Sequence, residues 1–293
     1  MTKSNWFIFG AGFSGLEIGR LVSAQGISVA GTTRSDAKFA RLEKAGLEPC
    51  AFDGLTSDDA LLKRLGKATH LLMSIGPDEG GDPLVPVHAD LLKRHAANLK
   101  WIGYLSTVGV YGDHDGGWVD ETTQCKPVSR RSVDRLQAEK AWEAFAQDLG
   151  VPLAILRLSG IYGPGRNTFR NLSEGSAKRI IKPGQVFNRI HVADIARAAL
   201  HLGAARTGGL FNITDNEPAP PQDVVTYAAN LMGIAPPEEI AYDDAAMSPM
   251  ARSFYGEVKK VSNAKIRETG FIFDYPDYRT ALTAMWKKDN WRG

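Results

Sequence analysis

Cysteine is nearly absent from this chain: its 293 residues hold two, Cys50 and Cys125, with no C-x-x-C pair and no framework of paired spacings. That excludes a disulfide-stapled scaffold and makes a reducing cytoplasm the simplest compartment, with both thiols read as small packing residues. No apolar run is long enough to span a bilayer. The opening MTKSNWFIFGAGFSG enters a strand-like segment directly, without the apolar stretch and small-residue cleavage site of a secretory signal. Excess charge is lacking as well: 35 Lys and Arg against 33 Asp and Glu leave +2, which gives no global drive toward nucleic acid or membrane. None of the six histidines stands in a spacing such as H-E-x-x-H, so no metal is expected.

What the chain does have is alternation. Strand-like pieces at Trp6–Phe9, Ile27–Thr32, Leu47–Phe52, His70–Ile75, Trp101–Ser106 and Leu153–Leu158 are separated by segments of helical spacing at Leu16–Gln25, Ala37–Ala45, Ala60–Leu65, Val85–Ala96 and Arg131–Leu149. Repetition of this kind predicts an α/β fold, a doubly wound parallel sheet covered on both faces. The pattern loosens after Leu158, returns in His191–Leu202 and Leu210–Thr214, and ends in helices and loops. The expected division is a Rossmann domain of residues 1–158 and 186–214, with a smaller, mostly helical lobe of 159–185 and 215–293.

Gly10-Ala11-Gly12-Phe13-Ser14-Gly15 follows the first strand and opens a helix. In that context backbone N–H groups and a helix N-terminus hold a pyrophosphate, so dinucleotide binding is expected. The second strand ends Thr32-Thr33-Arg34, without the carboxylate that NAD binders place on the ribose 2′-hydroxyl and with an arginine suited to a 2′-phosphate. NADP is favoured over NAD. Asp36, two residues on, keeps NAD open and is otherwise a helix N-cap. Asp53 suits the adenine amino group or a plain turn, and Ser74 and Ser106 join the expected cofactor set from the ends of the fourth and fifth strands.

The stretch Ser129-Arg130-Arg131-Ser132-Val133-Asp134-Arg135 opens the longest helix. Arg131, Arg135, Ala138, Trp142, Phe145 and Leu149 fall on one stripe at about 100° per residue, which turns both arginines the same way as the apolar face. Val133 and Leu136, on the opposite face, leave room for a partner helix in a homodimer.

Four segments appear in order: the glycine motif, Leu105-Ser106-Thr107-Val108-Gly109-Val110-Tyr111-Gly112, Arg157-Leu158-Ser159-Gly160-Ile161-Tyr162-Gly163-Pro164-Gly165, and Arg189-Ile190-His191-Val192-Ala193-Asp194-Ile195. Together they resemble the extended short-chain dehydrogenase/reductases, the NAD-dependent epimerase/dehydratase family. The resemblance implies a Rossmann domain with substrate held against a small C-terminal lobe. It makes Thr107 the catalytic hydroxyl and matches the family's Tyr-x-x-x-Lys pair to Arg131 and Arg135, with Glu139 as the downstream acid. A guanidinium has no acceptor and stays protonated, so Arg131 cannot replace a phenol in proton transfer, whereas Arg135 keeps part of the lysine's role toward a ribose or carbonyl.

Tyr111, Tyr162 and His191 are the other titratable candidates in these motifs, where tyrosines usually serve packing or ligand contact and a structural role is favoured for His191, and Asp113, His114 and Asp115 form a lid or a solvated loop. From Gly163 to His191 six basic residues, Arg166, Arg170, Lys178, Arg179, Lys182 and Arg189, face one acid, Glu174. An anionic or sugar-like small substrate is expected, with Arg166, Arg189 and His191 on its side of the site. Two functions remain open: an NADP-dependent oxidoreductase or epimerase/dehydratase-like enzyme, and a non-catalytic NADP-binding sensor or structural protein.

Overall fold

The computed structural model describes residues 4–54, 59–78, 81–95 and 97–293. A seven-stranded sheet lies at its centre, built from β1 (Asn5–Phe9), β2 (Ser28–Thr33), β3 (Glu48–Ala51), β4 (His70–Met73), β5 (Trp101–Thr107), β6 (Leu153–Leu158) and β7 (Gly209–Ile213) in the spatial order β7-β6-β5-β4-β1-β2-β3. The pairings of β1 with β2, β1 with β4, β2 with β3 and β4 with β5 are all parallel. Strands such as Trp6-Phe7-Ile8-Phe9 and His70-Leu71-Leu72-Met73 are buried throughout, as a parallel sheet covered on both faces requires. The order reverses between β1 and β4, and in open sheets ligands bind beyond the carboxyl ends of the strands at such a switch point.

The crossovers are α1 (Phe13–Ala24), α2 (Phe39–Lys44), α3 (Asp59–Leu65), α4 (Val85–His95) and α5 (Arg130–Leu149), and α6 (Val192–Ala205) precedes β7. Ala96, the expected last residue of the fourth helix, lies outside the described residues. On one face of the sheet Phe7, Phe9, Tyr104, Trp142 and Phe145 belong to a single buried cluster with Leu149 packed against it, so the lower half of the α5 stripe is apolar and inward as the spacing predicts. Elsewhere Trp6 stacks on His70 at 5.0 Å, and His70 Nε2 reaches the Gly203 carbonyl at 3.0 Å. Cys50 is buried within the large cluster and forms no disulfide. Among the described residues no helix is long and apolar enough to cross a membrane.

The chain divides into two compact units, Met1–Val110 with Arg130–Arg157 and Ile195–Phe211, and Tyr111–Ser129 with Leu158–Asp194 and Asn212–Gly293. Residues 111–129, 158, 186–194 and 212–214, which the sequence assigns to the first, group with the second. Hydrogen bonds tie two of these stretches to its C-terminal part: the Asp113 carboxylate accepts the Val258 N–H at 2.7 Å, and the Asp194 carboxylate accepts the N–H groups of Asp274 and Tyr275 at 2.9 and 2.8 Å. The second unit combines helices at Pro221–Met232 and Tyr278–Lys287 with short parallel pairs, Gly160–Tyr162 with Arg189–His191 and Arg179–Ile181 with Glu239–Ala241. Its own core is made by Phe169, Tyr278, Leu282, Met285 and Trp291.

Candidate functional site

The carboxyl ends of β1, β2, β4 and β5 carry the site. After β1 the backbone turns at Gly10, whose φ is +85° and whose N–H donates to Thr32 Oγ1 at 2.8 Å. A Cβ on Gly15 would stand 2.4 Å from the Gly10 carbonyl oxygen, so α1 can start this close to the turn only without a side chain there. At exposed Gly12 a Cβ would meet nothing within 4 Å. Gly12 also caps α1 without a side-chain hydrogen bond. Phe13 is half-buried and Ser14 buried at the head of α1. A tight backbone cradle, open above Gly12 and backed by a helix N-terminus, fits a pyrophosphate.

At the end of β2, Thr33 is half-buried and Arg34 is exposed without an ion pair among the described residues. Asp36 does not cap a helix. It is the first residue of a short 3-10 turn, Asp36–Lys38, preceded by Ser35, and Lys38, Arg41 and Lys44 follow it on the exposed side. Asp53 is exposed beyond β3, and Ser74, past β4, is half-buried with its N–H on the Phe9 carbonyl at 2.8 Å.

Beyond β5 the Thr107 Oγ1 accepts the Gly109 N–H at 3.1 Å. Arg135 donates to the Leu105 carbonyl, passes 5.8 Å from the Tyr104 ring centroid, and brings Nη2 to 2.8 Å from where a Cβ of Gly76 would stand. Arg131, one turn earlier, is exposed, so the two arginines the stripe groups together have different surroundings. The Ser106 hydroxyl donates to Glu139, which also takes Arg157 Nε at 3.1 Å and Nη2 at 2.7 Å. The Ser106 hydroxyl proton is thus directed at a buried ion pair.

Sequence reasoning passed over Ser132. It is 6% exposed, and the point where a Gly109 Cβ would stand lies 2.8 Å from its Oγ and 3.4 Å from Thr107 Oγ1. Ser132, Arg135 and Glu139 recur at helical spacing, a polar stripe that was available to find it.

In the second unit Tyr111 is fully buried and its hydroxyl donates to Asn212 Oδ1 at 2.8 Å. Arg189 is half-buried and donates through Nη1 to the Phe187 and Ala219 carbonyls at 2.9 and 3.0 Å. The basic segment is held by partners distant in sequence: Arg179 pairs with Glu239 at 2.6 Å, while Lys178 and Lys182 donate to the Ala246 and Tyr255 carbonyls. Arg170 pairs with Glu174 at 2.7 Å, and Arg166 is exposed on a turn closed by the Gly163 and Arg166 backbones. Asp113 accepts the Val258 N–H at 2.7 Å and His114 Nε2 lies 3.1 Å from the Tyr111 carbonyl, so this loop is tied down.

His191 is also an interior residue, 3% exposed, with its ring 4.0 Å from that of Tyr275 and its Nδ1 accepting the Ala193 N–H at 3.2 Å. Burial, helped by Lys288, lowers its pKa to about 4. The folded protein then binds fewer protons than the unfolded chain between about pH 4 and the unfolded value near 6.5, so this contribution to stability is complete above about 6.5 and is lost as pH falls toward 4. His191→Phe is expected to flatten the fall in melting temperature over that window; an unchanged slope would place the titration elsewhere.

Comparison with known proteins converges on one family. The sequence profile described as the NAD dependent epimerase/dehydratase family matches residues 89–214. Protein YeeZ of Escherichia coli strain K12 is 30% identical over 288 residues, covering 92% of this chain and 96% of YeeZ. The chain belongs to the NAD-dependent epimerase/dehydratase family. A functionally unknown conserved protein from Silicibacter pomeroyi DSS shares 42% identity over 98% of this chain and 99% of its own, with a TM-score of 0.89. The epimerase/dehydratase fold extends at 17% identity to human epimerase family protein SDR39U1, whose structure was solved with NADPH, at a TM-score of 0.72 over 97% of this chain and 99% of that one.

Proposed function

We propose that this epimerase/dehydratase-family chain is an NADP-dependent oxidoreductase or epimerase/dehydratase-like enzyme acting on a small carbonyl or sugar-like substrate. The observation that carries the reading is the cradle of Gly10, Gly12 and Gly15, open above Gly12, with Arg34 exposed at the end of β2. In this reading the first-turn N–H groups of α1 hold the pyrophosphate, and the Arg34 guanidinium makes a charge-assisted pair with a 2′-phosphate. A bound nicotinamide dinucleotide supplies or accepts a hydride.

The chain's own residues orient the oxygen at which charge develops. The Gly109 N–H occupies a lone pair of Thr107 Oγ1 and leaves the hydroxyl proton to donate to a substrate oxygen. Arg135 places a positive charge at the ends of β4 and β5 and takes no part in moving protons. The choice of NADP rests on Arg34. Arg34→Ala is expected to weaken NADPH about tenfold or more while leaving NADH nearly unchanged, because one charge-assisted bond is worth roughly 1.5–3 kcal/mol. Equal loss for both dinucleotides would remove this choice.

The second reading, dinucleotide binding without hydride chemistry, is favoured by the interior placement of Tyr111 and by guanidinium groups at positions 131 and 135. The deciding test follows NADPH absorbance during addition of carbonyl compounds and nucleotide sugars. Turnover supports the enzyme, binding without turnover supports the second reading, and absence of binding contradicts both.

A further inference from the structure

The glycine at position 76 lies outside the glycine motif and was given no role by the sequence. It follows β4, two residues past Ser74, on the strand next to β5. Its α-carbon is where Arg135 comes to rest: Nη2 would be 2.8 Å from a Cβ there and the guanidinium carbon 3.8 Å. The same guanidinium donates to the Leu105 carbonyl on β5 and crosses the Tyr104 ring. Arg135 thus spans the ends of two adjacent strands, and the seat on the β4 side exists because residue 76 has no side chain.

The segment beneath that seat reaches the cradle. A Cβ on Gly10 would stand 2.7 Å from Ile75 Cγ1, 3.0 Å from the Ile75 nitrogen and 3.2 Å from the Ser74 carbonyl carbon. The Ser74–Gly76 backbone therefore has the Gly10 turn on one side and the Arg135 guanidinium on the other. A dinucleotide whose pyrophosphate sits over Gly12 must extend its second half past this segment, because the first half runs toward the end of β2.

We propose that Gly76 is a positioning residue: by seating Arg135 across the ends of β4 and β5 it sets where the nicotinamide half of the dinucleotide lies. The inference rests on the cofactor reading above. It assigns Arg135 a fixed place, held by a backbone carbonyl and a bare α-carbon, in which it acts as a rigid wall and a local positive charge.

Gly76→Ala is a clean probe, since the contact it creates is with the far end of a flexible side chain and the fold can accommodate it by moving the guanidinium. Affinity would be measured calorimetrically for NADPH and for adenosine 2′,5′-bisphosphate, which lacks the nicotinamide half. Expected are a melting temperature near that of the wild type, at least a tenfold loss for NADPH, and no change for the bisphosphate. In an Arg135→Ala background, Gly76→Ala should then add nothing further to the loss. An unchanged NADPH affinity, equal losses for both probes, or full additivity with Arg135→Ala would overturn the inference while leaving the cofactor reading standing. Wild-type protein that bound neither probe would overturn that reading and this inference with it.

Discussion

Glu139→Ala is expected to destabilise the first unit by about 3–5 kcal/mol. Glu139 and Arg157 have side chains only 3% and 6% exposed, and the carboxylate takes both guanidinium bonds as well as the Ser106 hydroxyl. Removing it leaves a guanidinium charge and a hydroxyl in the interior without their acceptor, and desolvation of the charge dominates the loss. Urea denaturation would show a lower midpoint at an unchanged slope. The combined change Glu139→Ala and Arg157→Met should recover most of the stability, because the buried cation that lost this carboxylate is then gone. A single variant within about 1 kcal/mol of the wild type would show that the pair is wetter than its geometry implies.

The glycine cradle gives the second large effect, and two of its positions should fail in different ways. Gly15→Ala places a Cβ 2.4 Å from a backbone oxygen, so either α1 or the Gly10 turn must shift. Stability and dinucleotide binding are both expected to fall, binding by a hundredfold or more, since a displacement of about 1 Å in a preorganised site is enough for such a loss. Gly12→Ala puts its methyl where the protein has nothing within 4 Å. The fold should therefore melt as the wild type does, while NADPH no longer raises the melting temperature. If Gly12→Ala bound NADPH normally, the open space above it would not be the ligand's.

The parts of this architecture legible in the sequence are those whose cause is local. β1, β4 and β5 lie within a residue or two of the apolar runs that announce them, and Gly10, Gly12 and Gly15 declare a backbone geometry through the absence of side chains. Bonds to remote partners were not legible. The Tyr111 hydroxyl donates to Asn212, 101 positions away, and Lys182 donates to the Tyr255 carbonyl, 73 positions away. A count of charges between Gly163 and His191 cannot see Glu239, which pairs with Arg179 from 60 positions on.

The α5 stripe was legible in its apolar half, because Trp142 and Phe145 must find a core. It said less about its first turn, where Arg131 is exposed while Ser132 lies beside Gly109. Helical spacing fixes direction around an axis, but not how far a strand end extends beneath the first turn.

The central claim is that the cradle above Gly12 and Arg34 together hold NADP. Calorimetric titration of the wild-type protein with NADPH and with NADH, under identical buffer and salt, tests it most directly. The account predicts one site per chain, saturated by NADPH at a concentration at least tenfold lower than by NADH. Tighter binding of NADH, or no heat of binding for either dinucleotide, would contradict it.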